Sequence, residues 1–566
     1  MKLNNIWGYG QLFGFSGLDG VTGFCDDFIG TLTRRKIEIR FELHEWVKLY
    51  FPVCGRVKFN AITGDMIDGE TKDGKVLIVF ADCDTVIGYA PVLPKVITQK
   101  KWNFLQTPQG DVWYSDTDAI ALFTKQRADG SYQFVFAHSE ACYTIALGLI
   151  YRWMSVDVEE IKRARYEYFK TMPKCKNKKY ERLYYKALSI NKVNVRSAEG
   201  GIPCLWTTPD RVPHKRLWLW DSAFHALAFA TYNGEMAKNA LRAVLAQQRA
   251  DGFIPCMMNP YGQSLDTQPQ VLAWGVWEVY KKTGDKAFLQ ECVGALDGYL
   301  TWDKNNRDTN GNGLLEWYSN PADTDCKCGE SGQDNSPRFE FGENMDAVDF
   351  SVFQSHDAEY LAKIYEELGD FESAEKWRNY SVKMCELINE YLWDEESGIY
   401  YDRLLSGKPT KVLTPSCFFP MFVGAPSKEQ VEKMVKVLTD KELLWTELPI
   451  PSVAKNNELY STDMWRGGVW LNINYFVARG LKKYGYNELA DELIAKILDA
   501  VNKWYKKTGS IYEFYDPENK IPPYQCERKG KPITPPDWRK HVHSISDYNW
   551  SACFTLLFIQ NELYLD

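Results

Sequence analysis

Histidine is scarce in this 566-residue chain, with 7 copies, and none stands at the spacing of a zinc site. No HExxH, GxSxG, Gly-rich phosphate loop or catalytic Cys/His signature occurs, so the usual zinc, serine and cysteine hydrolase chemistries have no sequence support. No run of apolar residues approaches about 18, the length that begins to span a bilayer, so no membrane partner is expected. Met1-Lys2-Leu3-Asn4-Asn5 has no basic segment leading into an apolar run, and a secretory signal is not expected. Positive charge is not in excess: 67 Lys+Arg face 75 Asp+Glu, a formal net charge of -8, which argues against a nucleic-acid partner. The 14 cysteines are scattered, several of them within apolar runs (Cys142, Cys292, Cys553). That is the pattern of free thiols in a reducing compartment, and a cytoplasmic location is expected. Cys326-x-Cys328 lacks the spacing and partners of a zinc site.

Aromatic residues, in contrast, are plentiful: 20 Trp, 33 Tyr and 29 Phe in a chain that is 45% hydrophobic. Flat amphipathic rings suit a large core, and they equally suit a pocket that grips the apolar face of a sugar. Composition alone does not choose between the two.

Position along the chain begins to separate them. Ile37 to Leu43 alternates apolar and polar, as Val47 to Phe51 and Tyr132 to Phe136 do in part, and Val76 to Phe80 is a short apolar run after the turn pair Asp73-Gly74. Many short strands with turn signals predict an antiparallel β-sandwich over 1–155. A charged helix follows from Asp157 to Lys170, read as a linker over 156–178. From 179 to 566 the period is helical, with twelve candidates at 180–193, 221–233, 235–248, 268–282, 286–305, 348–368, 371–393, 414–422, 428–439, 468–484, 487–507 and 546–562. Tight connections such as Thr283-Gly284 and Leu368-Gly369-Asp370 pair them into hairpins. No fixed repeat marks a solenoid, so closure into an (α/α)6 helical barrel is the economical solution. The expected fold is therefore multidomain, a β-sandwich followed by that barrel.

Most long connections (194–220, 249–267, 306–347, 394–413, 440–467 and 508–545) alternate with the tight turns, which gathers them at one end. They and their edges carry Trp218-Leu219-Trp220-Asp221, Thr267-Gln268-Pro269-Gln270, Glu330-Ser331-Gly332-Gln333-Asp334-Asn335-Ser336-Pro337-Arg338, Trp465-Arg466-Gly467-Gly468-Val469-Trp470 and Ile511-Tyr512-Glu513-Phe514-Tyr515-Asp516-Pro517. Polar groups beside rings are what hydroxyls and sugar faces require. Read alone, Asp334 suits a turn or cap as well as chemistry, Glu513 suits a solvent-facing strand position, and Asp221 suits a helix N-cap.

On Trp220-Asp221-Ser222-Ala223-Phe224-His225 and the Glu330–Arg338 and Trp465–Trp470 motifs, residues from about 179 to 562 resemble the helical-barrel catalytic domain of glycoside hydrolase family 63 and its relatives, bacterial α-glucosidase-like and mannosylglycerate hydrolase-like enzymes. The resemblance implies an inverting exo-glycosidase that hydrolyses an α-glucoside or similar short α-glycoside, with an oligosaccharide or small glycoside as its partner and no organic cofactor. It puts the general acid on Asp334 and the general base on Glu513; in inverting enzymes such a pair stands roughly 6.5–9.5 Å apart. Substrate contacts are then expected from Trp218, Trp220, Asp221, Gln268, Trp274, Arg338, Trp465, Gly467 and Trp470. Rival activities on the same fold are α-mannosidase, trehalase-like and glycosylglycerate hydrolysis. A rival of another class is an inactive carbohydrate-binding protein.

A separate signal lies in Asp308-Thr309-Asn310-Gly311-Asn312-Gly313-Leu314-Leu315-Glu316. Oxygen side chains at positions one, three and five, then glycine at six, copy the start of an EF-hand loop. Asp308, Asn310, Asn312, the Leu314 carbonyl and Glu316 would hold a structural calcium ion, as some relatives with a similar loop do.

Overall fold

The computed structural model describes residues 3–565 apart from 5, 9–10, 27, 33–36, 42, 100–101, 141, 324 and 530–542. Two compact units result: Met1–Ala198 with Tyr505–Ser510, and Glu199–Trp504 with Ile511–Asp566.

The first unit holds two antiparallel sheets. One has five strands in the order Leu12–Phe13, Gly30–Leu32, Ile37–Phe41, Val47–Phe51, Lys95–Thr98; the other has eight, with Gly74–Asp82 and Tyr132–Glu140 both flanking Thr85–Ala90. Alternation explains the first sheet: Ile37, Ile39 and Phe41 are buried while Glu38 and Arg40 are half-buried. The sheets face each other through rings, Phe41 lying 6.4 Å from Phe80 and 5.4 Å from Phe136. Val76 to Phe80 is buried without alternation, because the helix Val158–Lys170 covers the same strand: Arg165 donates to the Phe80 carbonyl at 2.9 Å.

That helix corrects the expected linker. It and Glu181–Val193 belong to the first unit. Both are fixed by buried charge: Lys192 lies 2.6 Å and Arg165 3.1 Å from the Asp65 carboxylate, which is fully buried. Burial opposes the Asp65 charge, but Lys192 and Arg165 outweigh it and hold its carboxyl below the ordinary range. A lysine or arginine in a helix reads as a solvent face, so nothing in the pattern separates these helices from their neighbours. Tyr143–Trp153, within the stretch expected to be all strand, is also helical.

The second unit is helical. Leu219–Ala230 packs on Leu272–Thr283, that on Val348–Leu368, and the circle continues through Pro420–Val423, Leu471–Lys483 and Asn549–Gln560 back to Leu219–Ala230. These helices are buried almost all round, Asn549–Gln560 at every position, whereas Gly234–Leu245 and Lys428–Leu438 bury single stripes and cap the outside. Phe476 lies near the middle of the packing, 5.1–6.1 Å from Phe224, Trp274, Phe353, Phe419 and Phe422. Short turns are set by caps: Gly284 takes a left-handed conformation that ends one helix, and Asp285 accepts from the Phe288 N–H to start the next. Within 414–422 only Pro420–Val423 is α-helical; Pro415 and Pro420 split the segment, with a 3-10 turn at Pro415–Phe418. No helix among the described residues is long and apolar enough to cross a membrane, and none of the fourteen cysteines forms a disulfide among the described residues.

Candidate active site

Four of the sequence motifs are joined in pairs by side chains that satisfy backbone. The side-chain carbonyl oxygen of Asn335 accepts from the Trp465 N–H at 2.9 Å, and Arg466 donates to the Asn335 backbone carbonyl at 3.2 Å. Gln268 accepts from the Trp220 N–H at 3.1 Å. Val469 and Tyr515 bond each other's backbone at 2.8 and 3.1 Å, bringing the Glu513 segment beside Trp470. The result is a pocket of about 410 Å³, part of it open to solvent, lined by residues of all five motifs.

Asp334 and Glu513 both line this pocket, together with Trp218, Trp220, Asp221, Gln268, Trp465 and Trp470. Its rings form a packed box: Trp465 stacks on Trp470 at 3.9 Å and 4°, Trp470 lies 5.0 Å from Phe514 and 5.6 Å from Trp550, and Trp550 lies 5.4 Å from Trp220. Gly332 is dictated by this box. Its φ is +68°, and a Cβ there would lie 2.3 Å from Cζ2 of Trp220. Gly332→Ala is expected to push the indole into the pocket and lower kcat/KM by on the order of 10²-fold with unchanged far-UV circular dichroism; steady-state kinetics on the purified variant checks it.

The two candidate carboxylates have contrasting surroundings. Glu513 is buried, its side chain paired with Arg528 at 2.9 and 3.3 Å. Arg528 also donates to His214 Nε2 at 3.0 Å, which leaves His214 Nδ1 to donate to Asp210 at 2.7 Å. Asp334 is one-fifth exposed, and Lys529 Nζ stands 2.6 Å from its carboxylate. Burial opposes the Lys529 charge; Asp334 and Cys326 outweigh it and hold the ammonium above the ordinary lysine value. Asp221 is fully buried, and its Oδ1 has no hydrogen-bond partner among the described residues. Burial, then the charges of Asp210 and Glu513, raise its carboxyl well above the usual carboxylate range.

Three expected substrate contacts lie elsewhere. Arg338 does not line the pocket; it is buried between Asp349 (2.5 and 2.9 Å) and Asp402 (2.8 and 2.9 Å), so the carboxylates it holds are not the candidate catalytic ones. Trp274 is buried against His356 at 5.5 Å and under the Arg479 guanidinium at 4.8 Å. Gly467 has a backbone role: its φ is +152° and a Cβ would meet the Ser461 carbonyl at 2.2 Å. His214, Arg528, Tyr548 and Trp550 line the pocket without having been singled out. His214 and Arg528 fall in the long connections 194–220 and 508–545, so loop length was the available signal.

The calcium loop is folded on oxygen-rich groups. Glu316 accepts from the Thr309 and Asn310 N–H groups at 2.7 and 3.1 Å, while Asn310 and Asn312 donate to Asp346 at 3.1 and 2.8 Å. Asp308 Oδ1 is buried without a hydrogen-bond partner among the described residues. Asp346 is pushed up to about 6 by burial and by the neighbouring Glu316 and Asp308 charges, against the Asn312 and Asn310 hydrogen bonds. The side-chain oxygens of Asn310 and Asn312 accept from the Asn312 and Leu314 N–H groups at 3.0 and 2.8 Å, and Asp308, Glu316 and Asp346 do not bring three carboxylate oxygens within reach of one ion in this conformation.

Residues 213–551 match the family described as mannosylglycerate hydrolase MGH1-like glycoside hydrolase domain. An uncharacterized protein of Borreliella burgdorferi is 28% identical over 263 residues, covering 45% of this chain and 52% of that one, so the chain matches about half that relative's length. The mannosylglycerate hydrolase of Rubrobacter radiotolerans is 25% identical over 401 residues, covering 55% of this chain and 87% of that one. Mannosyl-oligosaccharide glucosidase of Arabidopsis thaliana is a further relative, at 23% over 390 residues, 54% of this chain and 46% of that one. Among solved structures, a bacterial glucoamylase complexed with acarbose has a TM-score of 0.62 at 12% identity, over 99% of this chain and 95% of that one. The GH63 mannosylglycerate hydrolase of Thermus thermophilus has a TM-score of 0.53 at 23% identity, over 66% of this chain and 99% of that one.

Proposed function

The chain belongs to glycoside hydrolase family 63, and from that membership we propose that it is an inverting exo-glycosidase of short α-glycosides, with Asp334 as general acid and Glu513 as general base. The circle of six buried helices is, in this reading, the inner layer of an (α/α)6 barrel. The observation that carries the proposal is that Asp334 and Glu513 line one pocket with five tryptophans, Asp221 and Gln268.

Hydrolysis by this pair needs one protonated and one ionised carboxyl. Arg528 and the His214–Asp210 pair fix the Glu513 carboxylate in orientation, leaving it to take a proton from the attacking water. Asp334 delivers a proton to the leaving oxygen, and for that Lys529 must withdraw from its carboxylate. Trp220, Trp465 and Trp470 offer ring faces to the sugar, and the unpartnered Asp221 Oδ1 takes a hydroxyl. A calcium ion held by Asp308, Asn310, Asn312, the Leu314 carbonyl and Glu316 would tie down the loop leading to Asp334.

A second reading has one observation in its favour. Lys529 puts an ammonium group beside the acid that serves the leaving group, which suits a glycoside of a small carboxylic acid, in line with the mannosylglycerate hydrolases among the relatives. The test is a panel of α-linked glucose disaccharides beside glucosylglycerate and mannosylglycerate, with NMR of the first-formed anomer. Product of inverted configuration is expected; retained configuration removes the inverting mechanism, and no turnover of any member removes the hydrolase reading. For the ion, exhaustive chelation is expected to lower the Tm by several degrees with recovery on adding Ca²⁺; an unchanged melt with no metal by elemental analysis overturns it.

A further inference from the structure

A second cavity, of about 770 Å³, is larger than the catalytic pocket and shares no residue with it. Its wall includes His356 and Tyr360 from Val348–Leu368, Phe422, and Arg479, Lys482 and Lys483 from Leu471–Lys483. The last helix starts directly after the pocket residue Trp470 and ends in this cavity, about 20 Å along its axis.

The charge on the wall is one-sided. Arg479, Lys482 and Lys483 face a single acid, Glu359, which stands 3.5 Å from Lys363. Lys482 is paired with Asp491 at 2.6 Å. Arg479 is 5% exposed, and the partners of its N–H groups among the described residues are neutral: His356 Nε2 at 3.3 Å, the Tyr360 hydroxyl at 3.3 Å and the Tyr564 carbonyl at 3.0 Å. The guanidinium meets no carboxylate in direct contact and draws on the buried Glu278 only at longer range, so a bound anion would complete its shell. A second observation points the same way. His356 is 3% exposed, and its Nδ1 has no hydrogen-bond partner among the described residues, the Asp357 oxygen being 4.0 Å away. Burial first, and then the nearby Arg479, Lys483 and Lys363 charges, push the imidazole well below its ordinary value.

We propose that this cavity is a second ligand site that takes a small organic phosphate, its phosphate on Arg479 and Lys483 and its carbon skeleton against Tyr360 and Phe422. Arg and Lys converging from one helix suit the multiple oxygens of a phosphate, and the volume leaves room for a body of monosaccharide size. The proposal is independent of the reaction assigned to the other pocket.

Isothermal titration of the full chain with glucose 1-phosphate, orthophosphate and glucose tests it. Saturable binding is expected for glucose 1-phosphate, weaker binding for orthophosphate, and none for glucose at this site. Lys483→Gln, at an exposed position that folding tolerates, is expected to weaken glucose 1-phosphate about tenfold, the loss of one charge-assisted contact, and to leave basal hydrolysis unchanged. Arg479→Lys is expected to weaken it as well. No saturation by either phosphate at millimolar concentrations overturns the proposal. So does an isotherm unchanged in both variants, which marks an adventitious ion only or binding in the catalytic pocket.

Discussion

Glu513→Gln is expected to leave a folded protein whose turnover has fallen by on the order of 10²–10⁴-fold, the range of a lost general base. Glu513 is buried with Arg528 at 2.9 Å, and the amide keeps shape and part of the hydrogen bonding while removing the charge that accepts the proton. Asp334→Asn is expected to match that loss on natural glycosides and to be far milder on aryl glycosides with acidic phenols, whose departure needs little protonation. The measurement is kcat/KM over a leaving-group series. A uniform loss across the series removes Asp334 as the acid, and a normal rate in Glu513→Gln removes that residue from the mechanism. Asp334→Asn should retain the wild-type melt to within a few degrees, whereas Glu513→Gln leaves the buried Arg528 without its carboxylate and should melt lower, so its turnover is measured well below its own melt.

Arg338→Met is expected to destabilise the helical unit by about 3–5 kcal/mol, because it leaves Asp349 and Asp402 buried without their cation. Denaturant unfolding read by Trp fluorescence checks it. The gap should depend on pH in a definite sense. Burial opposes the Asp349 charge, while Arg338, Trp317 and Ser416 outweigh it and hold its carboxyl below the ordinary range. A depressed carboxyl contributes stability that is present above the unfolded-state value near pH 4 and is lost as pH falls through the folded-state value. The difference between wild type and variant should therefore be full at neutral pH and shrink below about pH 4. A gap that does not change with pH would mean that Arg338 acts through packing alone.

Arg338 also shows where reading a motif stops. It closes the segment that begins at Glu330, and neighbourhood in sequence put it with Asp334 in the pocket. In the fold the segment turns at Ser336-Pro337, whose 3-10 turn directs Asp334 to the pocket and Arg338 to the core. Trp274 fails for a related reason: helical periodicity does not say which neighbour a buried ring meets, and this one lies under Arg479 beside the second cavity. Arg528 and Lys529 carry no local pattern at all. They reach Glu513 and Asp334 from a connection whose path only the tertiary structure defines.

Periodicity by itself determined the strand-rich beginning, eleven of the twelve helical segments and the glycine and aspartate turns between them, because these depend on interactions within a few residues; 414–422 was split by its prolines. The aromatic excess was legible as a number. Only the tertiary structure decided that Trp220, Trp465, Trp470 and Trp550 share one box while Trp274 does not, since ring contacts join residues hundreds of positions apart. It also decided that Lys192 and Arg165 are buried against Asp65, which moves two helices into the first unit. A charged side chain is placed by its partner, and the partner is found by the fold.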